Sequence, residues 1–365
     1  MSSSNHSDLS AKLSKIVGAH HVHVDASHLD ELSWDALSEG RLHPLRRPQP
    51  ALPLCVVEPG TTSEVQEIVR LANEEKIPIV PYGGGSGLMG GALSIRPNIL
   101  LDLRGMNQIL EIDTLAHSAR VQAGVVLEAL EKRLNDASFI LGHDPWTLPV
   151  ATVGGAISTN SVGYRAGIYG PMGEQVLGLE AVMANGEMLR TRGVRKSSAG
   201  INLNALLIGG EGCFGIITEA TVRIFPAPQA RLLSGFMFES FEQGYTAVQE
   251  MFLQRLRPAL LDFGDDAEKH EAGAVLYLGF EGNRDTVEAE TSRAQSMCAQ
   301  RGGNRLLDGE AEDFFRDRHV IARRFMQNRR QRRERGRDGI YHDWIHVALP
   351  ASKVLGFRSE AAAII

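Results

Sequence analysis

The stretch at residues 81–91 reads PYGGGSGLMGG. It follows the apolar run IPIV, and Gly85-x-Gly87-x-x-Gly90 imitates the glycine loop of a dinucleotide-binding strand–helix unit. Such a loop must open a helix whose amino terminus receives a pyrophosphate. Here the chain continues GALSIRPNILLDL, in which Arg96-Pro97 interrupts any helix and the apolar residues lack a 3.6 spacing. The Rossmann reading therefore fails, and no Lys-Ser or Lys-Thr follows the glycines to make a Walker loop. A tight turn needs fewer glycines, each of which costs backbone entropy on folding. Successive amides free of side-chain bulk instead form a concave nest that can hold a pyrophosphate without lysine.

Two further stretches share this chemistry. ATVGGAISTN at residues 151–160 follows DPWTLP, and GGEGCFGIIT at residues 209–218 adds four glycines and Glu211. Three glycine loops separated by strands, without a catalytic lysine or paired carboxylates, suggest a long ligand threaded along backbone. Its pyrophosphate would sit at one loop and its flat rings at the others.

Ahead of these stretches, Leu9, Leu13, Ile16 and Val17 share a helix face that Ser7 can cap and Gly18 ends. LCVVEP reads as a buried strand, Thr61, Thr62 and Ser63 as candidate caps, and Val65, Ile68, Val69 and Leu71 as the inner face of a second helix. IPIVPYGG then closes a right-handed crossover unit. From Asn98 the texture is NILLDL, ILEID and ARVQAG as strands, a helix through Leu127 to Leu134, and an irregular glycine-rich run from Gly154 to Gly178. LGLEAVMANGEMLRTR predicts a hairpin turning at Asn185-Gly186, and GIITEATVRIFP a long strand. Beyond Gln229 the order is strand RLLSGFMF, helix Tyr245 to Leu256, strands ALLDFG and GAVLYLGF, helix Thr286 to Gln300 and strand NRLL. This βαββαβ order is the split plan of a ferredoxin-like sheet and places a second domain from about residue 228.

The 365 residues suffice for two or three domains, and 43% hydrophobic with 22% charged residues is ordinary globular usage. With 38 basic against 44 acidic residues the net charge is −6, which argues against a nucleic-acid-binding protein. Ten arginines nevertheless crowd residues 316–337, and the run from Arg329 to Arg337 reads as a solvated loop or helix face. Three distant cysteines, Cys55, Cys213 and Cys298, give neither a disulfide framework nor a CxxC site. His20, His21, His23 and His28 match no recognised metal spacing, so no metal ligand is assigned. The opening MSSSNHSDLS is unlike a secretory leader and no run approaches a membrane span of about 18 apolar residues. A cytoplasmic location is the expectation.

At the glycine stretches the chain resembles the FAD-binding oxidoreductases of the vanillyl-alcohol oxidase and p-cresol methylhydroxylase type, in their D-lactate and glycolate dehydrogenase branch. PYGGGSGLMGG is similar to that family's pyrophosphate loop, TVGGAISTNSVGYRAGIYG to its second flavin segment, and GGEGCFGIITEATVRIFP to its third, with LGLEAVMANGE as the hairpin between. The resemblance implies an α+β fold. A two-lobed FAD-binding domain would cover 1–227, with lobes of about 8–81 and 82–227, and a ferredoxin-like cap 228–365. Around FAD it implies Tyr82, Gly83, Gly84, Gly85, Ser86, Gly87, Leu88, Asp144, Pro145, Thr152, Val153, Gly154, Gly155, Ser158, Thr159, Asn160, Glu211, Gly212, Gly215, Ile216 and Ile217. No histidine stands in 83–87 to bond the flavin, and Cys213 reads as a small buried residue rather than a thioether, so non-covalent FAD is expected.

EDFFRDRHVIARRF resembles the segment whose arginine faces the substrate carboxylate, which implies Arg318. A guanidinium can grip a carboxylate with two parallel N–H bonds and stays charged. The implied reaction removes a hydride from the α-carbon of a D-2-hydroxy acid such as D-lactate, glycolate or D-2-hydroxyglutarate, while a base takes the hydroxyl proton. GIYHDWIHVALPASK offers His342 and His346 for that base, with a structural role competing for both. Electrons would pass on to a quinone, cytochrome or electron-transfer flavoprotein, from a homo-oligomer or a subunit of a complex. The sequence ends before the GDGN-type segment of such proteins, the expectation for a fragment or a shortened member. An alkylglycerone-phosphate synthase-like enzyme, a catalytically incomplete FAD-binding subunit and a nicotinamide dehydrogenase are the competing readings.

Overall fold

The computed structural model describes residues 3–36, 51–265, 273–325 and 347–364. In its first lobe, helix α1 (Ser3–Val17) ends at Gly18, followed by strand β1 (Val22–His23), helix α2 (Ala26–Leu32), β2 (Cys55–Val57), α3 (Thr62–Glu75), β3 (Ile79–Tyr82) and β4 (Ile99–Asp102). The sheet order is β1-β2-β4-β3, with β2, β4 and β3 parallel and β1 antiparallel at the edge. Of the three candidate caps it is Thr61 that caps α3, in a capping box with Glu64. The sheet is covered on both faces, as parallel sheets are. Cys55, Val57, Ile99 and Leu101 pack with α1 and α3, whereas the alternating Val56, Leu100 and Tyr82 pack with Leu29 and Leu32 of α2.

The second lobe holds β5 (Ile109–Asp113), β6 (Ser118–Gln122), α4 (Leu127–Asn135), β7 (Phe139–Leu141), α5 (Val153–Ser158), α6 (Ala166–Tyr169), β8 (Val176–Val182), β9 (Met188–Arg190), α7 (Asn204–Leu207) and β10 (Ile216–Pro226). Strand β10 is the spine of this antiparallel sheet and pairs with β6, β7 and β8. The β8–β9 hairpin turns at Gly186, whose φ of 79° only glycine adopts cheaply. Helices α5 and α6 lie in the run expected to be irregular; α5 forms because Thr152 caps it and β6 and β10 pack against it. The lobes share core. Val182 and Ile216 point into the first lobe's core, while their neighbours Ala181 and Ile217 point into the second's.

A third sheet comprises β11 (Ala230–Phe238), β12 (Leu260–Asp265), β13 (Ala274–Gly282) and β14 (Asn304–Arg305), with α8 (Phe241–Leu253) and α9 (Arg284–Gln300) packed on it. Its order, β12-β13-β11-β14, is that of a ferredoxin-like fold. Helix α8 starts four residues before the expected Tyr245 because Ser240 caps it, and it ends ahead of Arg255, whose φ of 63° is left-handed. Helix α10 (Glu310–Asp317) follows and lies against β11 and β13. Among the described residues no helix is long and apolar enough to cross a membrane.

Candidate functional site

The three glycine stretches meet. A Cβ added at Gly83 would lie 2.5 Å from the Thr152 Oγ1, and one at Gly84 would lie 2.2 Å from the Val150 carbonyl oxygen, so the first loop seats directly on the segment that opens α5. A Cβ at Gly91 would fall 2.6 Å from the Glu211 carboxylate, and one at Gly212 2.9 Å from Pro81, so the third stretch packs on the two ends of the first. The Glu211 amide donates to Ser158 O at 2.9 Å and the Gly209 amide to Ile157 O at 3.1 Å, tying the third stretch to the second. Left-handed backbone gathers at this meeting point, at Gly85, Gly90, Gly209 and Gly212 and also at the non-glycine residues Asn160 and Glu211. Asn160 is held there by the Gly173 amide, which donates to its Oδ1 at 2.9 Å. Non-glycine left-handed residues concentrate at ligand clamps.

Among the described residues, the amides of Gly84, Gly85, Ser86 and Gly87 donate to no protein partner. A run of free amides on a glycine loop braced by two others fits the pyrophosphate of FAD. Gly83 to Leu88, Thr152 to Gly155, Ser158 to Asn160, and Glu211 to Gly212 are the residues that would hold it. Several other expected neighbours have side chains packed into the framework, which leaves only their backbone to face a ligand. Ile216 and Ile217 are buried in the lobe cores, and Gly215 packs against Leu207 and Val182 O. Tyr82 is buried against α2, its hydroxyl donating to Trp34 O at 3.4 Å. Cys213, expected to be buried, is exposed: its turn, closed by the Cys213 amide on Gly210 O at 2.8 Å, stands outside the cores.

The second half of the site centres on Asp144, only 1% exposed. Arg318 Nε donates to its Oδ2 at 3.0 Å, and His319 Nε2 lies 2.9 Å from its Oδ1. Both residues follow α10, so one carboxylate of the second lobe anchors the end of that helix. The Arg318 guanidinium also stacks 3.8 Å from the centre of the Phe315 ring and donates through Nη1 to Phe315 O. With Nε committed to Asp144, a carboxylate can be gripped only through the two terminal nitrogens, Nη1 and Nη2. Arg165, itself buried, lies 4.0 Å from Asp144 and 3.5 Å from Glu281, and donates to Glu131 and Leu141 O at 2.9 Å each. Arg231 completes the network on Glu281 at 2.8 Å.

Burial alone would raise the Asp144 carboxyl, but the His319 hydrogen bond and the charges of Arg165 and Arg318 outweigh it and hold it well below the usual carboxylate range. Next to it, burial pushes the His143 imidazole down to about 4 against the opposing pull of Asp144. His143 Nε2 meets Ser161 Oγ at 2.8 Å while its Nδ1 has no partner. A cleft of about 600 Å³ opens between α4, the 227–231 connection and the end of α10, and Glu131, Lys132, Arg165, Arg231, Arg318 and His319 line it. None of the glycine-loop residues borders this cleft; Asp144 is the link, holding Arg318 and His319 from behind while belonging to the loop ahead of Thr152.

Of the three residues expected to carry catalysis, Arg318 is in the site, whereas His342 and His346 lie outside the described residues, as does the arginine run from 329 to 337. His319, Arg165 and His143 were missed. His319 had one sequence signal, its position beside Arg318 in RDRHV; nothing in spacing links residue 144 to residue 319.

A family profile described as an FAD binding domain matches residues 53–192. The glycolate oxidase subunit GlcD of Bacillus subtilis is 33% identical over 261 residues, which are 68% of this chain and 56% of that protein. A D-lactate dehydrogenase of Anaerostipes hadrus is 31% identical over 327 residues, 84% of this chain and 67% of that one. The crystal structure of p-cresol methylhydroxylase with substrate bound superposes with a TM-score of 0.73 at 20% identity, over 86% of this chain and 68% of that one. The chain thus spans little more than half the length of the glycolate oxidase subunit it matches.

Proposed function

The chain belongs to the FAD-binding oxidoreductases of the vanillyl-alcohol oxidase and p-cresol methylhydroxylase type, with FAD as its cofactor, and from that premise we propose that it oxidises a D-2-hydroxy acid of the D-lactate, glycolate or D-2-hydroxyglutarate class. The observation that carries this reading is the pairing of Arg318 and His319 on the single buried carboxylate of Asp144.

FAD, when bound, supplies the two-electron acceptor for the hydride that leaves the substrate's α-carbon. Arg318 binds the substrate carboxylate through its terminal nitrogens and, stacked on Phe315, cannot swing away from it. His319 turns Nε2 toward Asp144, which leaves Nδ1 as the free nitrogen and the acceptor for the hydroxyl proton. Asp144 positions both groups. Around Asp144 the charges balance, the carboxylates of Glu131, Asp144 and Glu281 facing the guanidiniums of Arg165, Arg231 and Arg318. A substrate carboxylate adds one negative charge to that balance, and the proton taken by His319 offsets it. Electrons then leave for a quinone, a cytochrome or an electron-transfer flavoprotein, and the cap is assigned to residues 228–365 and the FAD-binding part to residues 1–227.

The test is anaerobic mixing of the FAD-loaded protein with D-lactate, glycolate and D-2-hydroxyglutarate while the yellow absorbance is followed. Bleaching by one acid supports the reading. Turnover of acyl-dihydroxyacetone phosphate with no bleaching by any acid would replace it with the alkylglycerone-phosphate synthase reading, and no response to either would leave a binding subunit.

A further inference from the structure

We propose that His23, His28 and Glu58 form a site for one Zn²⁺ ion that clamps the β1–α2 segment to the end of β2. Sequence spacing gave no hint of it, because the three residues come from three elements. His23 lies on the edge strand β1, paired with Val56; Glu58 immediately follows β2; His28 lies in the first turn of α2. The Glu58 amide donates to His21 O at 3.0 Å, which extends the pairing beyond the strands. Asp25 accepts the His28 amide at 3.0 Å and the Ser27 hydroxyl at 2.8 Å, fixing the start of α2.

Donor atoms of the three side chains lie within 4.8 Å of one another, and none belongs to the flavin or substrate site. His23 Nε2 is 3.4 Å from Glu58 Oε1. The His23 and His28 rings sit 4.8 Å apart, centre to centre. The second, independent observation is that the Nε2 atoms of His23 and His28 are both shielded from solvent and have no hydrogen-bond partner. Buried ring nitrogens are ordinarily satisfied, so two that make no hydrogen bond and converge beside a carboxylate point to a cation site. Two imidazoles and one carboxylate are a donor set that suits Zn²⁺.

Tetrahedral zinc with bonds of about 2.0–2.1 Å needs donors about 3.3 Å apart. The His23–Glu58 pair is already at 3.4 Å, and the remaining donor pairs, all within 4.8 Å, close by side-chain rotation. Water takes the fourth position. The second Glu58 oxygen, Oε2, lies 3.6 Å from His21 Nδ1, so His21 orients the ligating carboxylate from outside.

The clamp has a structural consequence for the glycine loop. Just past α2, the Ala36 amide donates to Gly87 O at 2.8 Å, and Ser33 O accepts the Ser94 amide at 3.0 Å. Leu29 and Leu32 of α2 back Tyr82 at the start of that loop. Metal at the head of α2 therefore stiffens the segment that braces residues 82–94.

The experiment uses the untagged, FAD-loaded full chain dialysed against Zn²⁺ and then metal-free buffer, with zinc measured by elemental analysis, and separately titrated with Co²⁺ in the visible. One equivalent of zinc and a tetrahedral cobalt spectrum are expected. The His23→Ala/His28→Ala double variant should bind more than tenfold more weakly, His21→Ala more mildly, and His20→Ala, whose side chain is outside the cluster, like the parent. Zinc bound equally by parent and double variant overturns the proposal. If the double variant does not fold, the parent decides alone: absence of a tetrahedral cobalt spectrum at one equivalent also overturns it.

Discussion

Asp144→Asn is the perturbation with the clearest expected size. The side chain is 1% exposed and serves Arg318 at 3.0 Å, His319 at 2.9 Å and, more distantly, Arg165. Removing one partner of a buried ion pair costs about 3–5 kcal/mol, because the remaining charge is left uncompensated. Asparagine keeps the shape and one acceptor oxygen, which places the loss near the lower end, about 3 kcal/mol or a little over a hundredfold in the folding constant. Urea unfolding at pH 7, followed by tryptophan fluorescence, reads it directly. The pH dependence carries a sign. Asp144 titrates below its unfolded value, so its stabilisation is fully present above about pH 4 and is lost only as pH falls toward the depressed folded value. The gap between parent and variant should therefore be constant from pH 8 to pH 5 and narrow below pH 4. Equal unfolding midpoints at pH 7 would refute the view that this carboxylate anchors Arg318 and His319.

Gly84→Ala should drive the first loop off the Val150 carbonyl, so the purified variant should carry far less than one FAD per chain by absorbance; full occupancy would contradict the braced-loop geometry. His143 remains neutral in the fold down to about pH 4, whereas the unfolded chain protonates it near pH 6.5. It therefore subtracts stability as pH falls between those values, and His143→Gln should lose less stability than the parent between pH 7 and pH 5 in parallel denaturations. Arg318→Lys keeps the charge but not the planar fork. It should raise KM for the hydroxy acid about tenfold or more, and unchanged kinetics would remove Arg318 from substrate binding.

Local rules made much of the architecture legible. The Thr61 cap, the Asn185-Gly186 turn and the βαββαβ order after Gln229 each rest on signals within a few residues, and each is found in place. The glycine loops were legible for a related reason, since only a close backbone approach justifies such density. Helix α5 was not. Its six residues, Val153 to Ser158, include two glycines, and it persists because the Gly154 amide donates to Ala123 O at 2.8 Å in a contact that admits no Cβ. His319 and the His23–His28–Glu58 cluster were hidden for another reason. They exist through pairings between segments distant in the chain, and a two-residue edge strand such as β1 gives no periodicity to read.

The alternation along β8 and β10 has a mechanical consequence. Neighbouring residues, Ala181 and Val182 on one strand and Ile216 and Ile217 on the other, point into opposite cores, so these strands are a party wall between the lobes. Pulling the lobes apart would expose Val182 and Ile216, at about 1.5–3 kcal/mol for each such side chain. A wall of this kind does not hinge. The spacing of the two lobes is set when the chain folds, so adjustment to a bound cofactor falls to the glycine loops rather than to lobe motion.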